Sequence, residues 1–226
     1  MELFVLSAQN SIANHFLKGL RDKNLQQDRM RFRKNVERLG EIMAFEISKK
    51  LNYVRKEVET PLGKSVLNDL ERDPILITIL RAGLPYFSGF QHFFDASDCG
   101  FIGAYRQENE KGIKIKLDYL ATPHIDNADV ILIDPMLATG RSLVDGVNEL
   151  LKRGEPNHLH LATLIASPEG IQYLKENIKV PSTIWTFAVD EKLNEQFYIV
   201  PGLGDAGDLS FGEKASPQPL SGGEGL

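Results

Sequence analysis

From Pro74 onward, the chain alternates short apolar runs with segments whose apolar residues recur at helical spacing. The runs are ILITIL (75–80), VILI (130–133), LHLATLIA (159–166) and TIWTFAV (183–189). Strands with so few polar residues are covered on both faces, which is typical of parallel sheets flanked by helices. The order strand, helix, strand therefore predicts an α/β fold with a parallel β-sheet.

Helical patterns fill the spaces between these runs. An apolar stripe follows Gly140 and stops at Gly154, a residue type that commonly ends helices. Ser167 and Pro168 predict an N-cap and a first helical position for PEGIQYLKEN. The first 50 residues are also predicted to be helical, because apolar residues recur at three- and four-residue steps there.

One pair of segments departs from the alternation of strand and helix. FIGAYRQ (101–107) and IKIKLDYL (113–120) flank the polar ENEKG, which predicts an antiparallel hairpin. We expect this arm (101–120) to protrude apart from the main sheet. The remaining fold is predicted to be one domain over 1–213, followed by a flexible Pro-, Gly- and Ser-rich tail at 214–226.

The composition limits the partners of the chain. Its formal net charge of −5 gives no overall attraction to nucleic acid or anionic membranes, so a phosphate ligand requires a local cationic site. A single cysteine excludes an internal disulfide, and no stretch approaches the roughly 20 apolar residues of a membrane span. We therefore expect a cytoplasmic protein with no nucleic-acid or membrane partner.

The first candidate site, which we name the Asp134 turn, is DPMLATGRS (134–142). It follows a predicted strand and opens a helix, where backbone amides bind anions and Gly140 permits close approach of a phosphate. The spacing matches neither a Walker A loop nor a dinucleotide fingerprint. Asp134 is suited to accept hydrogen bonds from sugar hydroxyls. An Asp-Pro turn that only caps a helix has the same pattern.

The second candidate, the Arg81 turn, is LRAGLP (80–85), again after an apolar run. The planar guanidinium of Arg81 is suited to diphosphate oxygens, although a surface arginine beside a tight turn would look the same. Arg106 on the hairpin is a further cation that could close over a phosphorylated substrate, or a solvated residue of an edge strand.

The third candidate, the Asp205 turn, is YIVPGLGDAGD (198–208). Three glycines and one proline favour a tight turn whose exposed amides and carbonyls can bind the edge of a planar heterocycle. Asp205 lies between Gly204 and Ala206, so small neighbours leave it open to a ligand. A polar surface turn without a ligand is the alternative.

Five segments, in order, resemble the uracil phosphoribosyltransferases: ILRAGLP, AYRQENE, DPMLATGRS, SPEG and YIVPGLGDAGDLSFG. The resemblance runs from about Asn10 to Glu213. It implies transfer of the 5-phosphoribosyl group from phosphoribosyl diphosphate (PRPP) to uracil, giving UMP and diphosphate, usually with Mg²⁺ bound mainly through the diphosphate. It also implies a type I phosphoribosyltransferase fold with a small hood and a β-arm, as a homodimer or higher homo-oligomer.

The same resemblance implies the roles of individual residues. Arg81, Arg106 and Asp205 correspond to catalytic residues of the family. Uracil binding matches Ile199, Gly204, Asp205 and Ala206. PRPP binding matches Arg81, Arg106 and Asp205 together with Asp134, Pro135, Met136, Leu137, Ala138, Thr139, Gly140, Arg141 and Ser142.

Two positions of the Asp134 turn deserve comparison with the wider family. Pro135 replaces the second acid of many phosphoribosyltransferases, as in the uracil enzymes, so one carboxylate faces the sugar. Arg141 replaces the second glycine of the common T-G-G-S loop. A positive φ would strain Arg141 by about 1 kcal/mol or more. We expect it instead to be helical, because Gly140 already provides the flexible point, and to add charge near the 5-phosphate.

Two other functions fit the same turns. The scaffold could belong to a regulatory protein that senses UMP or PRPP, with weak or no catalysis. Phosphoribosyl transfer to another base is the second alternative, and only competition between bases distinguishes it from transfer to uracil.

Overall fold

The computed structural model of the protein describes residues 1–109 and 112–213, with the backbone alone for 104–109 and 112–118. The strands are β1 (Glu2–Val5), β2 (Tyr53–Thr60), β3 (Gly63–Leu70), β4 (Ile75–Leu80), β5 (Cys99–Asn109), β6 (Gly112–Ala121), β7 (Asp129–Ile133), β8 (Met136–Leu137), β9 (His158–Ala162), β10 (Ile165–Ala166), β11 (Ser182–Thr186), β12 (Ala188–Val189), β13 (Lys192–Leu193) and β14 (Ile199–Val200). The helices are α1 (Ile12–Arg21), α2 (Arg29–Ser48), α3 (Leu84–Gln91), α4 (Arg141–Leu150), α5 (Pro168–Asn177) and α6 (Ala206–Phe211), with 3₁₀ turns at Leu6–Ala8, Leu25–Gln27 and Leu151–Arg153.

A seven-stranded sheet in the order β1-β11-β9-β7-β4-β5-β6 forms the centre of the fold. Every neighbouring pair in it is parallel except β5 with β6. One apolar cluster joins its first face to α1, α2 and α3, and a second joins the other face to α4 and α5. The predicted parallel α/β fold is confirmed, because apolar residues on both faces of each central strand require cover on both sides.

Two long apolar runs are divided, which the sequence did not predict. The run at 159–166 forms β9 and β10, and the run at 183–189 forms β11 and β12. With β8, the two short strands make a parallel three-stranded sheet, β12-β10-β8, beyond the ends of β7, β9 and β11. The interruptions contain apolar or small residues such as Leu164 and Phe187, so hydrophobicity continues through them and hides the break.

The N-terminal prediction was partly wrong. Residues 2–5 form β1, which pairs in parallel with β11 at the edge of the main sheet. Helices α1 and α2 then follow, as predicted. The segment 2–5 is too short to show a period of its own, and its pairing partner lies about 180 residues away. After α2, β2 and β3 form a separate antiparallel hairpin.

The predicted hairpin at 101–120 is present as β5 and β6, but its base belongs to the main sheet. Residues 99–103 pair in parallel with β4, and the pairing of β5 with β6 shifts register between Gly103 and Ala104. The expectation of an arm wholly apart from the sheet was therefore wrong. The predicted tail at 214–226 lies outside the described residues, and the single domain at 1–213 stays a prediction. Within the described ranges, no helix combines the length and apolarity needed to cross a membrane.

Candidate active site

The three predicted turns meet at one edge of the sheet. Strands β4 and β7 are parallel neighbours, so the Arg81 and Asp134 turns leave the sheet side by side. The Thr78 hydroxyl donates to the Ile133 carbonyl over 3.2 Å and ties the two strand ends together. Residues of all three turns pack on one apolar cluster: Ala82, Met136, Ala138, Ile199 and Ala206. In parallel α/β sheets this edge is where ligands bind.

Asp134 directly follows the central strand β7 and is 9% exposed. Its amide donates to the Ala162 carbonyl over 3.1 Å, and its Oδ1 accepts from the Met136 amide over 3.3 Å. The Pro135 carbonyl accepts from the amides of Leu164 and Ile165 at 2.9 and 3.2 Å. Backbone hydrogen bonds therefore hold residues 134 and 135 in place, and the Met136 amide orients the Asp134 carboxylate.

Gly140 is the turning point at the start of α4. Its φ of +77° is in the left-handed region that favours glycine, and α4 begins at the next residue, Arg141. The expectation that Arg141 is helical is confirmed, so its side chain brings no left-handed strain. Arg141 is exposed, and Ser142 follows it in the first turn. The first amides of a helix lack partners within that helix, so this end of α4 is suited to an anion.

The N-terminus of α5 is hydrogen-bonded to the Asp134 turn. Ser167 caps α5 by accepting from the Gly170 amide over 2.9 Å, as predicted. Its hydroxyl also donates to the Ala138 carbonyl over 2.6 Å, and its amide donates to the Leu137 carbonyl over 2.9 Å. A Cβ on Gly170 would lie 2.3 Å from the Ala138 oxygen. The SPEG segment is therefore in direct backbone contact with the turn.

Arg81 lies between the other two turns. Its Nη2 donates to Asp208 Oδ1 over 3.0 Å and to the Gly212 carbonyl over 3.2 Å. The side chains of Arg81 and Asp208 are 38% and 37% exposed, so the pair lies at an open surface. Arg81 Nε is buried and has no hydrogen-bond partner among the described residues. The guanidinium thus has donors left for a ligand. The Leu80–Arg81 peptide bond is cis.

The Asp205 turn is compact and open to solvent. Asp205 caps α6 by accepting from the Asp208 amide over 2.9 Å, and both Asp205 and Gly204 are exposed. Ile199 and Ala206 are buried, so their side chains pack into the protein rather than into solvent. A cavity beside the turn is lined by Gln26, Gln27, Arg29, Leu203, Gly204, Asp205, Asp208, Leu209 and Glu213.

Comparison with known proteins assigns this arrangement to a family. The uracil phosphoribosyltransferase model matches residues 7–213. The uracil phosphoribosyltransferase of Porphyromonas gingivalis is 44% identical over 215 residues, which cover 95% of this chain and all of that protein. That of Malacoplasma penetrans is 39% identical over 195 residues, or 86% of this chain and 93% of that protein. The chain belongs to the uracil phosphoribosyltransferase family.

A solved structure supports the fold of this uracil phosphoribosyltransferase family member. The AQ2163 protein from Aquifex aeolicus superposes with a TM-score of 0.83 at 32% identity, covering 93% of this chain and 98% of that one. Family membership confirms the predicted enzyme class, a pentosyltransferase acting on uracil.

Arg106, the other arginine predicted to bind PRPP, lies in the part of β5 that extends beyond β4. Its backbone pairs with Ile115 of β6. Strand β4 ends at Leu80, opposite Gly103, so Arg106 follows three residues later on the same edge of the sheet as the Arg81 turn. The side chain of Arg106 lies outside the described residues, and its role stays a prediction.

Among the described residues, one three-residue cluster has ligand atoms close enough for a metal ion. Glu37, Glu41 and His92 offer atoms within 4.8 Å of one another, and His92 Nδ1 already lies 2.8 Å from Glu41 Oε1. Glu37 and Glu41 lie on α2 and His92 directly follows α3, so none of them belongs to the three turns. Mg²⁺ prefers oxygen ligands, so this cluster with an imidazole does not match the predicted Mg²⁺.

The structure adds Asp190 and Asp208 to the residues around the turns. Asp190 is 8% exposed and follows β12, just as Asp134 follows β7. An acid directly after an apolar run is a sequence signal that would have found Asp190. Asp208 lies within the GDAGD segment, but its pairing with Arg81 depends on the two turns meeting in space.

Proposed function

We propose that the protein transfers the 5-phosphoribosyl group from PRPP to a ring nitrogen of uracil, releasing diphosphate and forming UMP. Membership of the uracil phosphoribosyltransferase family supports the class of reaction. The observation that carries the assignment of roles is the meeting of the three turns on one apolar cluster beyond β4 and β7. Each turn offers a group suited to one part of the two substrates.

The Asp134 turn is proposed to hold the ribose 5-phosphate. The amides from Thr139 to Ser142 lie where Gly140 leads into α4, and a helix N-terminus favours an anion through its amides and its dipole. Arg141 and the Ser142 hydroxyl add a positive charge and a donor. Asp134, at the entrance of the turn, accepts hydrogen bonds from the ribose hydroxyls.

The diphosphate is proposed to lie at the Arg81 turn, with Arg106 on the same side. A half-exposed pair such as Arg81 and Asp208 contributes at most about 1 kcal/mol. Diphosphate carries several negative charges and matches the guanidinium fork, so it competes effectively for Arg81. Bound Mg²⁺ would offset diphosphate charge, and the oxygen donors of Asp205 and Asp208 fit this cation beside the diphosphate oxygens.

Uracil is proposed to bind at the Asp205 turn through backbone groups of Ile199, Gly204 and Ala206. Donors and acceptors in fixed positions recognise the polar edge of the heterocycle. No nucleophilic side chain is required, because a uracil nitrogen attacks the ribose carbon and gives up its proton as diphosphate leaves. The transition state develops oxocarbenium character, and stabilising the departing diphosphate lowers its free energy. Closure of the arm over the substrates would exclude water, a competing acceptor.

The decisive experiment is a diphosphate-release assay with PRPP and Mg²⁺, comparing uracil, cytosine, hypoxanthine and orotate. We expect uracil-dependent release of diphosphate and formation of UMP, with little activity on the other bases. Equal activity with another base would contradict the proposed uracil specificity, and no release with any base would contradict the reaction. Omission of Mg²⁺ should lower the rate. Light scattering measures the homodimer or larger assembly that we also propose.

A further inference from the structure

A partly buried ion pair outside the three turns contacts the Asp205 turn. Arg21 is the last residue of α1, and Asp190 follows β12. Arg21 Nη2 donates to Asp190 Oδ1 over 2.7 Å, and Nη1 donates to Asp190 Oδ2 over 2.9 Å. The side chains are 24% and 6% exposed. This two-bond geometry fixes the relative orientation of the guanidinium and the carboxylate.

Both members of the pair also bind Gly202, in the middle of the Asp205 turn. Arg21 Nη1 donates to the Gly202 carbonyl over 3.0 Å, while Asp190 Oδ2 accepts from the Gly202 amide over 2.9 Å. Gly202 has a φ of +62°, and a Cβ there would lie 2.1 Å from the Ile199 oxygen. The ion pair thus satisfies both backbone groups of a residue whose conformation requires glycine.

The segment after α1 adds a third contact to the same turn. In the side-chain amide orientation that satisfies both its nitrogen and its oxygen, Gln26 donates to the Leu203 carbonyl over 2.8 Å and to the Leu20 carbonyl over 3.1 Å. Consecutive carbonyls of the Asp205 turn, at Gly202 and Leu203, are therefore held by side chains from 21–26. The next residues, Gly204 and Asp205, are the exposed ones.

A buried ion pair is weak evidence for stability, because apolar residues of similar size often stabilise a fold equally well. Its better-supported use is to fix one arrangement among several. Here the pair fixes the amide and the carbonyl of Gly202. Gly202 lies two residues before Gly204 and three before Asp205. A small rotation of the Gly202 peptides would redirect the backbone donors and acceptors beyond it.

We propose that Arg21 and Asp190 are positioning residues for uracil, which hold the Asp205 turn in the conformation that binds the base. This inference rests on the proposed binding of uracil at that turn. Arg21 and Asp190 act through Gly202 and have no contact with the Asp134 turn among the hydrogen bonds described. They hold the turn at Gly202, three residues before Asp205, which is the residue of this turn also assigned to PRPP. We therefore expect them to influence recognition of the base more than recognition of PRPP.

The test measures the KM for uracil and the KM for PRPP separately in Arg21→Gln, Asp190→Asn and the double variant. We expect each single variant to raise the KM for uracil at least about tenfold and to change that for PRPP less than about threefold. The double variant should resemble the single ones, because the two residues act as a unit. Arg21→Lys keeps the charge without the planar fork and should give an intermediate KM for uracil.

Arg153→Gln is the matched control, since Arg153 is exposed at the end of the 3₁₀ turn after α4. It should leave both KM values unchanged. An unchanged KM for uracil in the Arg21 and Asp190 variants would overturn the proposal. Equal increases in both KM values would also overturn it, because they would indicate a general structural role.

Hydrogen exchange of the free protein is a readout that does not depend on catalysis. In Arg21→Lys, the variant that best preserves folding, amides of 199–206 should exchange faster while those of 134–142 are unchanged. Unaltered exchange at 199–206 would overturn the proposal. If the unmodified protein lacks uracil-dependent activity, the proposed function fails. If it uses uracil and the variants retain its KM, the positioning role alone fails.

Discussion

The Asp134 and Asp205 turns pack on the same apolar cluster but are held in different ways. The Asp134 turn is supported by segments that follow it closely, since Ser167 lies 29 residues from its partner Ala138. The Asp205 turn is held by Arg21, 181 residues from Gly202. One turn is therefore formed largely by its own strand and helices, whereas the other takes its shape from the opposite end of the chain.

The difference separates two ways of building a binding site. At the Asp134 turn, the proposed ligand groups are provided by a helix start that Gly140 and Ser167 already shape locally. At the Asp205 turn, glycines permit many conformations, and side chains from α1 and from the residues after it select one. A local change should disturb the first turn alone, while a distant change should disturb the second.

The largest effect is expected at Arg81, which connects the two regions. Arg81→Ala should lower kcat by about 10²–10³-fold, the range found when a positioned donor to developing charge is removed. Arg81→Lys keeps a positive charge and should recover part of the rate. Steady-state kinetics with PRPP and uracil would measure both. If Arg81→Ala turns over at the normal rate, the diphosphate does not depend on this guanidinium.

A smaller effect is expected from a methyl group beneath the Asp134 turn. The Cβ of Gly170→Ala would lie 2.3 Å from the Ala138 oxygen, so the turn must shift. Overpacking costs about 1–3 kcal/mol of folding stability, and the shifted turn should raise the KM for PRPP severalfold. The KM for uracil should change little, the reverse of the result expected at Arg21.

Gly146→Ala is the matched control for this variant. Its Cβ would lie 3.4 Å from Ile102 Cδ1, an ordinary contact, in the helix that begins at the Asp134 turn. Both KM values should remain normal, and thermal denaturation would confirm that both variants fold. A similar change in both KM values for Gly170→Ala would contradict local support of the turn.

The smallest expected effect is a loss of folding stability at low pH, which limits the pH range in which the two turns can be compared. His160 on β9 is 3% exposed and accepts a hydrogen bond from Trp185 Nε1 at its Nδ1 over 3.2 Å. Burial and the neighbouring His158 lower the pKa of His160 from 6.5 to about 3. Between these values the unfolded chain binds a proton that the folded protein does not, so stability falls as the pH falls.

This difference corresponds to about 2 kcal/mol lost between pH 7 and pH 5, at about 1.4 kcal/mol per pH unit below 6.5. His160→Gln removes the titrating group and should reduce that loss. Urea denaturation of both proteins at the two pH values would measure it. An identical loss in the variant would show that His160 does not cause the acid sensitivity. Kinetic comparison of the turns is therefore best made above pH 6.5.

The sequence predicted what short segments determine. Apolar runs located the strands of the parallel sheet, Ser167 and Pro168 located the start of α5, and the position after β7 located Asp134. Each of these features is recognised from a few neighbouring residues, because hydrophobic periodicity and helix capping are local patterns. The same local reasoning predicted that Arg141 is helical.

The sequence did not predict what distant segments determine together. The break between β9 and β10 arises from cross-strand hydrogen bonds, such as that from the Leu164 amide to Pro135, while the residues themselves remain apolar. The pairing of β1 with β11 and the binding of Arg21 to Asp190 join segments from opposite ends of the chain. A local pattern contains no information about such partners.

The placement of Arg21 also has a consequence for the order in which the newly synthesised protein matures. Asp190 is made 169 residues after Arg21. At about 5–20 residues per second, this interval is roughly 10–30 s. Strand β1 likewise cannot pair with the sheet until β11 has been synthesised. The nascent chain can therefore complete the Asp134 turn while Arg21 still lacks its partner, and the turn proposed to bind the base matures last.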